Sequence, residues 1–191
     1  MIPAANRYTA VLDASVLFPN TKRDLLLRFY EADLFRARWT EAIQQEWLNK
    51  AKQKYEHLAE RLDRTDALMR EHFDSAWLEG YEPFINVVEL PDPNDQHVVA
   101  AALTCKANYI VTDNLKDFPA TTLEAFDIEV GYADMFLSST FDHYQNEALS
   151  DLRLHRRELR DEPSRPVYLS LLRKKGLPML SSRLMPMIDF L

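Results

Sequence analysis

Short apolar runs that alternate with helix-like segments constrain the fold of this chain most. The runs are apolar or β-branched, which is typical of buried strands. They are residues 8–12, 34–39, 84–90, 109–112 and 128–130. Between them, apolar side chains recur at helical spacing, as in the alanine-rich run 98–105. Because parallel strands need helical crossovers, the alternation predicts an α/β fold with a central, mainly parallel sheet flanked by helices.

The composition changes after residue 132. Residues 7–132 carry the strand-like runs and are predicted to form the α/β domain, whereas residues 133–191 have the spacing of several helices. This second part is interrupted by the turn-forming residues 162–166. We therefore predict a helical C-terminal extension after the sheet domain.

Acidic residues follow two of the strand-like runs. Asp13 closes the run 8–12, and Asp113 and Asp117 follow the run 109–112. Open parallel sheets bind ligands at the carboxyl ends of their strands, so these acids are expected at one edge of the sheet. Each acid also suits a turn, and none of them alone indicates a function.

Two further acids lie on or beside helices. Asp95 follows the turn-forming residues 91–94, where it also suits a helix N-cap, and Glu46 borders the apolar face of a helix capped by Thr40. Carboxylates that converge in one pocket repel each other, and a hard divalent cation relieves that repulsion. The pattern therefore predicts a metal-dependent enzyme acting on phosphodiesters. Its candidate site residues are Asp13, Glu46, Asp95, Asp113 and Asp117.

These pieces, in this order, resemble the PIN domain, a compact α/β nuclease fold, over residues 7–132. The resemblance rests on residues 11–15, 39–46, 90–95 and 110–119. Within that family, the chain is most similar to VapC-type toxins of bacterial toxin–antitoxin pairs, and its tail is similar to the C-terminal extension of one subgroup.

The resemblance implies an endoribonuclease that depends on Mg²⁺ or Mn²⁺ and is the toxin of a type II pair. Its partners would be an RNA substrate and a cognate antitoxin protein, and a homodimer is compatible with the family. Asp13 and Asp95 match the positions that hold the metal, and Glu46 matches the helix acid. The fourth acid stays open between Asp113 and Asp117, because Asn114 stands at the usual position.

The implied mechanism is hydrolysis by a metal-activated water. A metal held by Asp13 and Asp95 would lower the pKa of that water and neutralise the scissile phosphate. Glu46 and the fourth acid would orient the water or hold a second ion. Ser15 and Thr112 would steady the carboxylates by hydrogen bonds.

Two alternatives remain beside this reading. Asn114 at the fourth position is compatible with a catalytically weak or inactive PIN-fold module that acts through protein or RNA binding. A phosphatase with an aspartate nucleophile is disfavoured, because that chemistry uses a second Asp two residues after the first, and Ser15 stands there.

The charge of the chain limits how it meets RNA. The 191 residues carry a formal net charge of -7, which argues against broad, tight coating of nucleic acid without excluding a nuclease. Lys50, Lys52 and Lys54 are interpreted as solvated charges. The basic residues of the tail are interpreted as charges on a solvated helix face. The alternative, that they guide RNA phosphates toward the site, is less favoured. They are Arg153, Arg156, Arg157, Arg160, Arg165, Arg173, Lys174 and Lys175.

The location is predicted to be cytoplasmic. Cys105 is the single cysteine, so no intramolecular disulfide can form, which fits a reducing compartment. Residues 1–7 lack the charged-then-apolar order of a signal peptide. No apolar run approaches the roughly 20 residues that cross a bilayer, so we expect no membrane partner.

Overall fold

The computed structural model describes residues 8–191 and groups them into two units. Within this range, unit 1 comprises residues 8–19 and Arg36–Gly131, and unit 2 comprises Asn20–Phe35 and Tyr132–Leu191. The division into domains 7–132 and 133–191 stays a prediction, since the segment Asn20–Phe35 groups with the tail. Residues 1–7, on which the expectation about a signal peptide depends, lie outside the described range.

Unit 1 contains the predicted parallel sheet. Its strands are β1 (Thr9–Leu12), β2 (Arg36–Arg38), β3 (Tyr109–Val111) and β4 (Glu129–Gly131). Their order is β2-β1-β3-β4, and all neighbours run parallel. The central strands are buried, which explains their continuous apolar runs. Because Leu12 pairs with Val111, the next residues, Asp13 and Thr112, leave the sheet side by side. This confirms the predicted fold class.

The helices follow the chain order used below. They are α1 (Ala14–Leu17), α2 (Asn20–Glu31), α3 (Glu41–Lys54), α4 (Ala59–His72), α5 (Gln96–Cys105), α6 (Ala120–Leu123), α7 (Ala133–His143), α8 (Gln145–Glu158), α9 (Arg165–Lys174) and α10 (Pro178–Leu184). Short 3-10 helices cover Glu56–Leu58, Asp74–Ala76, Glu82–Phe84, Pro93–Asp95, Leu115–Asp117, Glu124–Phe126 and Met185–Phe190. Over the described residues, no helix combines the length and apolar character of a membrane span.

Two helices of unit 1 position site residues, and their sequences explain where they form. Thr40 caps α3 by accepting a hydrogen bond from the Ile43 amide at 3.3 Å, as predicted. The helix then buries Ile43 and Trp47, so Glu46 lies beside the buried face. Helix α5 buries the run 98–102 and ends at Lys106, whose φ of 52° is left-handed.

The predicted strand at residues 84–90 is wrong. The segment begins with the 3-10 helix Glu82–Phe84, and the amides of Phe84, Ile85 and Val87 bond to carbonyls three residues earlier. Pro83 suits this turn because its fixed φ and missing N–H match the start of a helix. The 3-10 helix Glu82–Phe84 instead contacts α5, and the Val88 carbonyl accepts from Gln96 Nε2 at 3.2 Å.

Unit 2 is helical, which confirms the predicted helical extension. Helix α2 buries Leu25, Leu26, Leu27 and Phe29, and it contacts α7 and α8. Helix α10 contacts α7 and α9, and Asp134 of α7 accepts from the amides at the start of α10. The apolar face of α2 is therefore covered within the same unit as the tail.

Candidate active site

Asp13 lies at the carboxyl end of β1, where its backbone amide donates to the Val111 carbonyl at 3.0 Å. The residue is 4% exposed and caps α1. Its Oδ2 accepts from Ser15 Oγ at 2.5 Å, from Thr112 Oγ1 at 2.7 Å and from the Ser15 amide at 3.3 Å. All three donors reach Oδ2, so Oδ1 carries none of these bonds. The carboxylate is thereby held in one orientation.

The hydroxyls that hold Asp13 also order the loop after β3. Ser15 Oγ accepts from the Asp113 amide at 2.9 Å, and Thr112 Oγ1 accepts from the Asn114 amide at 3.0 Å. The two hydroxyl oxygens lie 3.2 Å apart. The steadying hydrogen bonds expected from Ser15 and Thr112 are therefore present.

Asp95 ends the 3-10 helix Pro93–Asp95 and precedes α5. The cap of that 3-10 helix is Asp92, which accepts from the Asn94 amide at 2.9 Å, whereas Asp95 makes no side-chain capping bond. Among the described residues, the buried Oδ2 of Asp95 has no hydrogen-bond partner. A buried acceptor without a hydrogen-bond partner lowers the stability of the fold. A contribution to stability therefore does not explain why an aspartate stands at position 95.

The pKa of Asp95 is raised to about 6, mainly by burial and then by neighbouring negative charges. Those charges are Asp13, Asp92, Glu46 and Asp117. Four of the five predicted site acids therefore interact. We call Asp13, Glu46, Asp95 and Asp117 the acidic cluster.

Glu46 reaches the acidic cluster from α3 and has two basic neighbours. Its Oε1 accepts from Lys50 Nζ at 2.6 Å, and its Oε2 lies 3.6 Å from His97 Nε2. His97 lowers the pKa of Glu46 most, burial opposes this effect, and Lys50 lowers the pKa further. Glu46 is therefore an ionised carboxylate near neutral pH.

The loop after β3 separates the two candidates for the fourth acid. Asn114 Nδ2 donates to Asp117 Oδ2, and Lys116 Nζ lies 3.9 Å from the same oxygen. The charge of Asp117 raises the pKa of Asp95, whereas Asp113 donates its backbone amide to Ser15 Oγ. Asn114 therefore holds the carboxylate of Asp117 in place. It does not act as a substitute for an acidic residue.

Sequence reasoning did not assign Lys50 and His97 to the site. The sequence predicts a solvated charge at Lys50, whereas the structure pairs it with Glu46, and the spacing of four residues on a helix is a signal for that ion pair. His97 is two residues from Asp95, but its approach to Glu46 depends on how α5 and α3 are placed. Its Nδ1 is buried and has no hydrogen-bond partner among the described residues.

The donor chemistry of the acidic cluster fits a hard divalent cation. Within residues 8–191, no group of three His, Cys, Asp or Glu side chains forms a ready-made metal site. Mg²⁺, however, commonly binds through one or two carboxylates and keeps several waters. Asp13 and Asp95 meet that requirement, because Oδ2 of Asp95 is buried and unpartnered.

The chain is similar to known proteins over part of its length. The PIN domain family matches residues 9–116, which is more than half of the chain. A stretch of 51 residues is 43% identical to a protein of Mycobacterium tuberculosis (strain ATCC 25618 / H37Rv) named "Putative ribonuclease VapC50". This stretch covers 27% of the chain and 30% of that protein's length. No solved structure gives a significant match.

Proposed function

Since this chain belongs to the PIN domain family, we propose that it is a metal-dependent endoribonuclease that hydrolyses RNA phosphodiesters. The relative named as a ribonuclease supports RNA as the substrate, although the chain spans less than a third of that protein. The observation that carries the proposal is Asp95. Its buried, unpartnered oxygen and the acids around it form an arrangement that a divalent cation would relieve.

Asp13 and Asp95 would hold Mg²⁺ or Mn²⁺. The bound ion would supply an activated water and neutralise the scissile phosphate. Asp13 is prepared for this role because Ser15 and Thr112 fix its orientation through Oδ2. Asp95 offers an oxygen that no protein donor occupies.

Glu46 and Asp117 would complete the acidic cluster. The lowered pKa of Glu46 keeps its carboxylate ionised, which supports a role in orienting the attacking water by accepting a hydrogen bond from it. Lys50 lies beside Glu46 and its ammonium would meet the substrate phosphate. We propose Asp117 as the fourth acid because it acts on Asp95 and is held by Asn114.

The biological role we propose is that of a toxin in a type II toxin–antitoxin pair. Support comes from the resemblance to VapC-type toxins and from the VapC50 name of the relative. A cognate antitoxin, a homodimer and a cytoplasmic location belong to this proposal. A short open reading frame for an antitoxin beside the gene would support it.

The alternative is a PIN-fold module without catalysis. Asn114 motivates this alternative, but its amide donates to Asp117, whose charge raises the pKa of Asp95, so a fourth carboxylate is still available. The full acidic cluster therefore favours the enzyme.

The test is RNA cleavage by the purified chain with Mg²⁺, Mn²⁺ or EDTA, using total RNA and sequencing of the cut ends. We expect cleavage only with a divalent ion, and a loss of about a thousandfold in Asp13→Asn, the scale for removing one preorganised electrostatic group. Asp142→Asn, an exposed acid of α7, is the matched control. Equal cleavage in EDTA, or full activity of Asp13→Asn, would contradict the proposal.

A further inference from the structure

Two aromatic rings and a lysine lie together at the ends of α1 and α3. The rings of Phe18 and Tyr55 are stacked, with centroids 6.2 Å apart and an angle of 27° between their planes. Lys54 Nζ lies 5.5 Å from the centroid of each ring. We call Phe18, Lys54 and Tyr55 the aromatic platform. Tyr55 is 37% exposed, so part of its ring is open to solvent.

The backbone under the aromatic platform is fixed. The Tyr55 amide donates to the Ala51 carbonyl at 2.8 Å, and the Tyr55 carbonyl accepts from the Leu58 amide at 2.8 Å. The Phe18 amide donates to the Ala14 carbonyl at 2.9 Å. A rigid aromatic pair loses little conformational entropy when a flat ligand stacks on it.

The aromatic platform is continuous with the acidic cluster. Helix α1 begins directly after Asp13 and ends before Phe18. On α3, Glu46, Lys50 and Lys54 recur every four residues and share one face. The nine residues from Glu46 to Lys54 span about 12 Å along the helix axis. A short single strand can therefore reach both places.

The charge of Lys54 is available to a ligand. Lys50 pairs with Glu46 and Lys52 pairs with Asp63, whereas Lys54 has no carboxylate partner in the part of the chain that the structure describes. An ammonium beside a partly exposed aromatic ring combines the two elements that bind single-stranded nucleic acid. The cation attracts the phosphate, and the rings stack with a base.

We propose that the aromatic platform binds one nucleobase and its adjacent phosphate in single-stranded RNA, next to the acidic cluster. The inference rests on the proposed function, because it assumes that RNA reaches the carboxylates. The base stacks on the exposed part of Tyr55, and Lys54 contacts the phosphate. Stacking tolerates any base, so the aromatic platform fixes the strand near the site and does not by itself select a sequence.

The test is binding without cleavage, measured by fluorescence anisotropy in EDTA. The probes are a short labelled oligouridylate and an abasic oligomer of the same length. We expect Tyr55→Ala and Tyr55→Leu to weaken oligouridylate binding about tenfold, within the range for loss of one stacked base, and to leave abasic binding unchanged. Tyr55→Phe should bind as the parent chain does.

Lys54→Gln should weaken binding of both probes and reduce the slope of the salt dependence by about one, as expected for one phosphate contact. The matched controls are Lys52→Gln on the same helix and Tyr8→Ala, which removes a tyrosine exposed at the other end of the sheet. Both controls should bind as the parent chain does.

The inference is overturned if Tyr55→Ala and Tyr55→Leu bind oligouridylate as tightly as Tyr8→Ala. It is also overturned if they lose abasic binding equally, because the contact would then involve no base. Failure of the proposed function gives a different result: the parent chain would bind RNA through Tyr55 but cut none with Mg²⁺ or Mn²⁺. Cleavage with no effect at Tyr55 would reject only the aromatic platform.

Discussion

Two clusters of buried and partly buried polar side chains in this molecule differ in how their charges are arranged. In unit 1, the acidic cluster gathers like charges around a carboxylate oxygen without a partner. In unit 2, charges alternate. His155 Nδ1 lies 2.7 Å from the Tyr168 hydroxyl, and His155 Nε2 lies 3.3 Å from Asp24 Oδ2. Arg28 joins Asp24 at 3.0 Å to Glu158 at 2.5 Å. We call these five residues the tail network.

The two clusters shift the pKa of an aspartate in opposite directions. Asp95 is raised to about 6 by burial and neighbouring acids. Burial would also raise the pKa of Asp24, but His155 and Arg28 outweigh it and lower the pKa below its ordinary value. Satisfied, alternating charges stabilise a fold, whereas gathered like charges destabilise it and indicate a function.

Among variants that keep both proposed metal ligands, Asp13 and Asp95, the largest expected effect concerns the fourth member of the acidic cluster. Asp117→Asn should lower the rate of RNA cleavage about 10- to 100-fold, the scale for a group that orients metal ligands. Asp113→Asn is the matched change in the same loop and should keep most of the activity. Single-turnover cleavage rates measure both. A larger loss in Asp113→Asn would transfer the role to that residue.

The next effect is on the tail network and concerns stability alone. Tyr168→Phe removes the hydroxyl partner of His155, which is 1% exposed, and should lower the free energy of unfolding by about 2 kcal/mol. Tyr132→Phe, an exposed tyrosine of the same unit, should change nothing. Urea unfolding measures both variants. A neutral Tyr168→Phe would show that the buried bond contributes no net stability.

A smaller effect on stability separates function from stability within the acidic cluster. In EDTA at pH 7, Asp95→Asn should raise the free energy of unfolding by about 1 kcal/mol, a discounted value because this carboxyl is partly exposed. Its folded pKa lies above the unfolded value, so the parent chain loses stability as pH rises from about 4 through about 6. The gain should vanish near pH 4, and RNA cleavage should be lost. If Asp95→Asn were less stable than the parent chain at pH 7, the proposed repulsion between Asp95 and its neighbouring acids would be contradicted.

The smallest effect has the opposite sign. Asp24→Asn should lower the free energy of unfolding at pH 7 by less than about 1 kcal/mol, because Asp24 is partly exposed. Its folded pKa is lowered, so its contribution is present above the unfolded pKa and is lost as pH falls through the folded pKa. Urea unfolding at several pH values measures this, with Asp189→Asn, an exposed acid of the same unit, as control. An equal loss at acidic pH would exclude the charge interaction.

The sheet and half of the site were predictable from sequence for physical reasons. Buried parallel strands have continuous apolar runs, so β1 and β3 were recognisable. Ligands bind at the carboxyl ends of parallel strands, so Asp13 and Thr112 were expected to lie close together. The register of β1 with β3 confirms that expectation. The helix acid Glu46 was placed by the cap at Thr40 and the apolar spacing behind it.

The remaining features depend on tertiary packing or on local turns. The run 84–90 has strand-like composition, but contacts with α5 and the turn at Pro83 determine its structure. The sequence does not distinguish Asp117 from Asp113 as the fourth acid. The 3-10 helix Leu115–Asp117 determines which of the two carboxylates faces the acidic cluster, and the sequence pattern does not predict that helix. The approach of His97 to Glu46 joins residues that are far apart in sequence.

The grouping of Asn20–Phe35 with the tail also bears on how the chain is made. Helix α2 leaves the ribosome before α7 and α8, the helices that contact it in the folded chain. During translation, Leu25, Leu26 and Phe29 therefore lack their final contacts until α7 and α8 have been synthesised. Shielding of this segment by chaperones, and with it the yield of folded protein, depends on how quickly the tail follows.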